Sequence, residues 1–98
     1  MAHYDLNLLD CTLRDGGYVN DWQWGFQRAK EIIQSLVRAD INVVEVGFLR
    51  NVDVYNPDIT VCNHIEELNK LLPNHSGNTM FSAMAMRSNY DIKKLSPY

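Results

Sequence analysis

The chain has 98 residues, a length that fits one small domain or part of a larger one, since a complete (β/α)8 barrel takes about 250 residues. Its net charge of −3 and its lack of a basic run exclude the electrostatic footprint of a nucleic-acid-binding protein. No stretch has the pattern of a signal peptide or a membrane-spanning helix, so the sequence predicts a cytoplasmic protein with no membrane partner.

Strands and helices alternate along the first half of the chain. Residues 4–10 form a short apolar run, which predicts a buried first strand. From Gly25 onward, apolar residues recur at three- and four-residue spacing, which predicts a helix with one apolar face. Residues 41–48, INVVEVGF, are rich in β-branched side chains and predict a second strand that is covered on both faces.

The second half repeats this order. After a loop over residues 50–60, a helical pattern runs over residues 65–72, residues 79–86 predict a third strand, and residues 90–95 predict the start of another helix. Because crossovers in βαβ units are right-handed, we expect parallel strands and an α/β fold class. Three strands leave open sheet edges, so we also expect self-association, as a homo-oligomer.

The loop after the first strand contains short polar residues and two glycines. We expect Asp10 to anchor the turn by accepting backbone N–H groups. We expect Gly16 and Gly17 to supply positive φ angles in a tight loop. The two cysteines, Cys11 and Cys62, have no spacing typical of a metal knuckle or a disulfide framework, so reduced structural thiols are predicted.

Two motifs at the ends of the first two predicted strands point to chemistry. The first, LLDCTLRDGG, contains Arg14 and Asp15, and the second, VEVGF, contains Glu45. Together they resemble the metal-dependent pyruvate aldolase and acyltransferase family, which includes 4-hydroxy-2-oxovalerate aldolase and hydroxymethylglutaryl-CoA lyase. This resemblance implies that residues 1–98 are the N-terminal βα units of an aldolase-type (β/α)8 TIM barrel, truncated before the barrel closes.

The resemblance also implies roles for individual residues in a lyase that cleaves a 4-hydroxy-2-oxo acid into pyruvate and an aldehyde. Asp15 would ligate Mn²⁺ or Mg²⁺, as suits a hard carboxylate oxygen. Arg14 would hold the keto or enolate oxygen of the small-molecule 2-oxo acid with its planar guanidinium. Glu45 would orient Arg14, and a carboxylate buried in a valine run needs such a partner.

The sequence departs from the family pattern at two places. The position where the aldolases carry a histidine base is Tyr18, and a tyrosine hydroxyl is a poorer base at neutral pH. Tyr18 would then shape the pocket or donate a hydrogen bond to the substrate. The family completes its metal site with a later His-x-His motif, whereas His3, His64 and His75 form no close pair.

Other interpretations stay open. The same residues would suit an acyl-CoA-dependent 2-oxo acid acyltransferase such as isopropylmalate or homocitrate synthase. The chain would alternatively be a non-catalytic assembly module, and by itself we expect it to be inactive and to bind metal weakly. Structurally, Arg14 and Asp15 would then be a loop salt bridge, and Glu45 a half-buried strand carboxylate.

Overall fold

A computed structural model describes residues 6–86 and 88–95. The helices and strands follow one another as β1 (Leu9–Asp10), α1 (Phe26–Arg38), β2 (Val43–Leu49), β3 (Val61–Cys62), α2 (Ile65–Asn69) and β4 (Met80–Ala85), with short 3-10 helices at Asp15–Val19 and Ile92–Lys94.

Strand β2 is the centre of a four-stranded parallel sheet. It pairs with β4 along one edge, from Val43 to Leu49. Its other edge is shared, because β1 pairs with its first two residues and β3 pairs with its last two. The α/β class and the parallel direction predicted from the sequence are confirmed. Within the described residues the sheet is open and does not close into a barrel.

A β-bulge divides β2 into two halves with different side-chain phase. Glu45 pairs with Ser82 on β4 and Phe48 pairs with Met84, so a step of three residues on β2 faces a step of two on β4. An extra residue of this kind shifts the alternation of side chains between the two faces. The core face of β2 therefore carries Val44, Val46 and Leu49.

Helix α1 covers this core face, as its apolar periodicity predicted. Ala29 and Ile33 of α1 are buried in the same cluster as the valines of β2. The helix begins after Gly25, which provides no side-chain cap. Asp58, more than thirty residues away, instead accepts the Phe26 N–H through Oδ1 at 2.9 Å, so a loop carboxylate satisfies one of the free donors at the helix start.

The first strand differs from its prediction. Residues 4 and 5 lie outside the described part of the chain, and of the rest only Leu9–Asp10 is strand. The expected burial is wrong, since Leu9 is 57% exposed and Leu6 and Leu8 are exposed as well. The physical reason is that β1 pairs on one side only and that, within residues 6–86 and 88–95, no helix packs extensively against it.

Smaller differences follow further along. Strand β2 begins two residues later than predicted and ends one residue later, at Leu49. Strand β3 was not predicted, because its two residues are too few to show the alternation of apolar and polar residues typical of a strand. Helix α2 ends at Asn69 instead of reaching residue 72, and residues 90–95 contain a 3-10 helix where the start of an α-helix was expected.

Among the described residues, none of the helices has the length and apolar character needed to span a bilayer.

The capping role of Asp58 leads to a stability prediction. Replacing Asp58 with alanine removes the acceptor for the Phe26 N–H and should lower the free energy of unfolding by about 0.5–2 kcal/mol. Urea unfolding followed by circular dichroism measures this difference. Asp53→Ala removes the same charge from an exposed position of the same loop and should change stability little. Equal effects of the two substitutions would contradict the capping role.

The two cysteine thiols should differ in reactivity. Burial raises the pKa of the Cys62 thiol to about 12, and nearby Glu67 adds to the shift. Because the folded thiol stays neutral where the unfolded thiol ionises, the free energy of unfolding should fall as the pH rises above 9.0, the ordinary value of the thiol pKa.

At pH 8, iodoacetamide should therefore modify the half-buried Cys11 first and Cys62 only after unfolding, as mass spectrometry would show. A Cys11→Ser variant should show no fast-reacting thiol. Rapid labelling of that variant in its folded state would contradict the prediction.

Candidate active site

The loop after β1 is a tight turn built on one carbonyl group. The Cys11 carbonyl oxygen accepts backbone N–H groups from Arg14 at 3.1 Å and from Asp15 at 2.7 Å. Asp10 accepts the Thr12 N–H at 3.0 Å and the Thr12 hydroxyl at 3.1 Å, so its predicted role as a turn anchor is confirmed. This hydrogen bonding places the Arg14 side chain directly beyond the end of β1.

Arg14 and Glu45 form a close ion pair. The Arg14 Nε–H donates to Glu45 Oε1, and Glu45, only 7% exposed, is the single buried charged residue among those that the structure describes. The hydrogen bond to Glu45 raises the pKa of Arg14 above its already high ordinary value, although burial opposes the shift. The guanidinium is therefore permanently charged and held by its Nε; Nη1 also donates to Asp15 Oδ1 at 3.4 Å, which leaves Nη2 for other partners.

Glu45 lies on the same face of β2 as Phe48 because of the bulge between them. It is the third of seven strand residues, not a residue near the strand end as the sequence analysis assumed. Without the bulge, Glu45 and Phe48 would face opposite sides of the sheet. With it, Arg14 reaches both, because its guanidinium carbon lies 5.7 Å from the centre of the Phe48 ring. The face of β2 opposite the core is thus the site face.

Gly47 allows this geometry. A Cβ atom at position 47 would lie 2.2 Å from the carbonyl oxygen of Thr60, a distance that no side chain tolerates. That carbonyl accepts the Phe48 N–H at 2.9 Å. Thr60 also donates its hydroxyl to the Leu13 carbonyl at 2.8 Å and accepts the Trp24 indole N–H at 3.1 Å.

The predicted role of the glycine pair is wrong. Neither Gly16 nor Gly17 has a positive φ; among the described glycines only Gly25 and Gly77 do. Gly17 is instead a position of close approach, since a Cβ there would lie 1.9 Å from the Trp22 ring. The Trp22 indole N–H donates to the Arg14 carbonyl oxygen, so this contact supports the backbone of the same residue whose side chain Glu45 holds.

Asp15 is placed differently from Glu45. Its side chain is 62% exposed, and its Oδ1 lies 3.4 Å from Arg14 Nη1. Hard oxygen atoms of this kind suit Mn²⁺ or Mg²⁺. Within residues 6–86 and 88–95, however, no three His, Cys, Asp or Glu side chains lie close enough together to hold a metal ion. The described residues therefore form no complete metal site, and the predicted role of Asp15 as a ligand stays a prediction.

Tyr18 belongs to an aromatic cluster that we define as Tyr18, Trp22 and Phe48. The Tyr18 ring packs edge-on against Trp22 at 4.7 Å and against Phe48 at 6.2 Å between ring centres. The tyrosine is 58% exposed, so it lies at the solvent side of the cluster. Trp22 is buried.

Sequence reasoning missed several residues that build the site. Gly47 was read only as part of the family motif, and Thr60 as part of a long loop. Arg50 was not considered, although it directly follows β2 and its guanidinium carbon lies 4.2 Å from the Phe48 ring centre. The available signal was its position at the carboxyl end of a strand, where parallel α/β proteins place functional side chains.

The histidines lie away from these groups as far as the structure describes them. His64 precedes α2, where its backbone N–H donates to Glu67 Oε1 at 2.8 Å. His75 is exposed. His3 falls outside the described residues.

Comparison with known proteins adds no assignment: no family model, no curated protein and no solved structure matches this chain. The functional interpretation therefore depends on the two motifs and on the geometry around Arg14.

The close approach at Gly47 can be tested by adding a single methyl group. Gly47→Ala puts a Cβ against a backbone oxygen that has no side-chain freedom to move, and should lower the free energy of unfolding by about 1–3 kcal/mol. Gly16→Ala is the matched control, because its Cβ would meet its nearest neighbours at an ordinary 3.7 Å. Urea unfolding distinguishes the two variants. A Gly47→Ala protein as stable as the control would disprove the contact.

Proposed function

We propose that Arg14, Glu45 and Asp15 belong to the active site of a divalent-metal-dependent lyase that cleaves a 4-hydroxy-2-oxo acid to pyruvate and an aldehyde. The observation that carries this proposal is the Arg14–Glu45 ion pair on the site face of β2. The fold that goes with it is the beginning of a (β/α)8 barrel, completed by residues outside this sequence.

The guanidinium of Arg14 fits the demands of this reaction. When the bond between C3 and C4 of the substrate breaks, its electron pair moves toward the keto group and forms the enolate of pyruvate. Negative charge then develops on one oxygen atom, which N–H donors in fixed positions stabilise more strongly than the neutral ketone. Glu45 fixes the plane of the guanidinium through Nε, so that Nη2 can donate to this oxygen while Nη1 contacts the exposed Asp15.

Proton transfer completes the reaction. The 4-hydroxyl group loses its proton as the aldehyde forms, and the enolate carbon gains one to give pyruvate. Tyr18, on the exposed side of the aromatic cluster, is suited to donate a hydrogen bond to the substrate. The base for the 4-hydroxyl group then has to come from another part of the complete site.

Asp15 would contribute the one metal ligand of this segment, with the remaining ligands in a His-x-His motif on a later strand. A divalent cation bound there supplies positive charge beside the keto oxygen. By itself the 98-residue chain should bind Mn²⁺ weakly, and isothermal titration calorimetry that found tight binding would contradict this expectation.

Substitution in the complete enzyme tests the proposed roles. Arg14→Ala removes the donors to the enolate oxygen and Asp15→Ala removes the metal ligand, so each should lower kcat about 100-fold or more. The measurement is pyruvate release from a 4-hydroxy-2-oxo acid in the presence of Mn²⁺ or Mg²⁺. Arg28→Ala and Glu31→Ala, at exposed positions of α1, are matched controls and should retain activity.

The same assay separates the alternatives. Wild-type turnover in either the Arg14 or the Asp15 variant would refute the proposed mechanism. Release of free thiol from acetyl-CoA with a 2-oxo acid, without pyruvate formation, would identify an acyltransferase. Absence of both reactions in the complete protein would favour a non-catalytic assembly module.

A further inference from the structure

Arg50 is a second guanidinium on the site face. It follows β2 directly, and its backbone N–H donates to the Cys62 carbonyl oxygen at 2.9 Å, which fixes it at the carboxyl end of the sheet. Its guanidinium carbon lies 4.2 Å from the centre of the Phe48 ring and 4.9 Å from that of Trp22. Two rings of the aromatic cluster therefore lie within cation–π distance of this guanidinium.

Arg50 differs from Arg14 in having no anionic partner among the residues that the structure describes. Glu45 and Asp15 both pair with Arg14. The Nε of Arg50 is buried and has no hydrogen-bond acceptor within that part of the chain. A guanidinium that is stacked on aromatic rings and lacks a carboxylate is a favourable partner for an external anion.

The two guanidinium groups lie near the same ring. Because both are placed relative to the centre of Phe48, at 5.7 Å for Arg14 and 4.2 Å for Arg50, their separation cannot exceed the sum of these two distances. At that separation or less, a three-carbon acid can contact both groups from the space beside them. The charges around that space are those of Arg14 and Arg50 together with Glu45 and Asp15, and the two carboxylates already balance Arg14.

We propose that Arg50 binds the carboxylate of the 2-oxo acid, while Arg14 faces its keto oxygen. This assignment depends on the proposed function for the identity of the ligand. The assignment accounts for the different surroundings of the two guanidinium groups. Arg14, which Glu45 holds, contacts the keto oxygen, whose charge changes in the reaction. Arg50, which has no carboxylate partner among the described residues, contacts the substrate carboxylate, whose charge stays constant.

The test uses the 98-residue chain without metal. Pyruvate is titrated while the indole N–H signal of Trp22 is followed by NMR, with Trp24→Phe to assign it. Pyruvate should bind saturably and shift this signal, whereas pyruvamide, its neutral analogue of similar shape, should not. Arg50→Gln should weaken pyruvate binding about tenfold or more. Arg50→Lys keeps the charge but not the planar guanidinium, so its affinity for pyruvate should lie between those of the wild type and Arg50→Gln.

Arg28→Gln is the matched control, because it removes the same charge from an exposed position of α1. Circular dichroism verifies that each variant is folded. If Arg50→Gln does not fold, Arg50→Lys is the variant that tests the proposal. Equal affinity of the wild type and both Arg50 variants for pyruvate, equal binding of pyruvamide, or no pyruvate binding by the wild type would overturn the proposal.

Kinetics in the complete enzyme separate this inference from the proposed function. There, Arg50→Gln should raise KM for the 2-oxo acid about tenfold and change kcat much less, because the carboxylate charge is the same in the ground and transition states. Pyruvate release with an unchanged KM in this variant would refute the role of Arg50 and support the proposed lyase activity. Pyruvate binding through Arg50 in a protein without lyase activity would support the carboxylate subsite and refute the proposed lyase activity.

Discussion

The close approach of the Thr60 carbonyl to Gly47 is the constraint on which the site depends. At this point β2 carries its bulge, and the Phe48 N–H bonds to the Thr60 carbonyl oxygen. Thr60 is almost completely buried, and its hydroxyl joins the Leu13 carbonyl to the Trp24 indole. One threonine therefore connects β2, the turn after β1 and the segment before α1, which together form the walls of the site.

The bulge also explains how a small sheet can carry both a core and a charged site. A regular strand would alternate strictly, and the residue three positions after Glu45 would then lie on the core side. With the phase shifted, Val44, Val46 and Leu49 face the core, while the Glu45 carboxylate and the Phe48 ring face Arg14. Burial of the Glu45 charge is offset by its partner, since an unpaired carboxylate at this depth would be costly.

Sequence reasoning reached the parts of the structure that depend on local pattern. The apolar periodicity of α1, the valine run of β2 and the parallel direction of the strands were all predictable. The pairing of Glu45 with Arg14 was also accessible, because a lone acid among valines needs a partner. What could not be predicted depends on contacts between distant segments: the two-residue strand β3, the helix cap supplied by Asp58, and the reason for Gly17, which is the position of the Trp22 ring.

The exposure of β1 and the arrangement around Arg50 also depend on contacts between distant segments and could not be predicted from the sequence. Apolar composition indicated a buried strand, but burial depends on what lies over a strand, and its own residues do not reveal that. Arg50 lies beside Phe48 and Trp22, and the Trp22 ring is carried by a segment in which Asp21 and Trp22 both have positive φ. Such backbone conformations are uncommon for these residue types, and no sequence pattern signals them here.

Arg14 is held at both ends, by the Trp22 indole at its carbonyl oxygen and by Glu45 at its Nε. An arginine side chain that is free in solution loses about 2 kcal/mol of rotamer entropy when it is immobilised. In this protein much of that loss occurs when the chain folds, and not when an anion arrives. An anion that bound there would meet a preorganised donor, and a larger share of the interaction energy would be expressed as affinity.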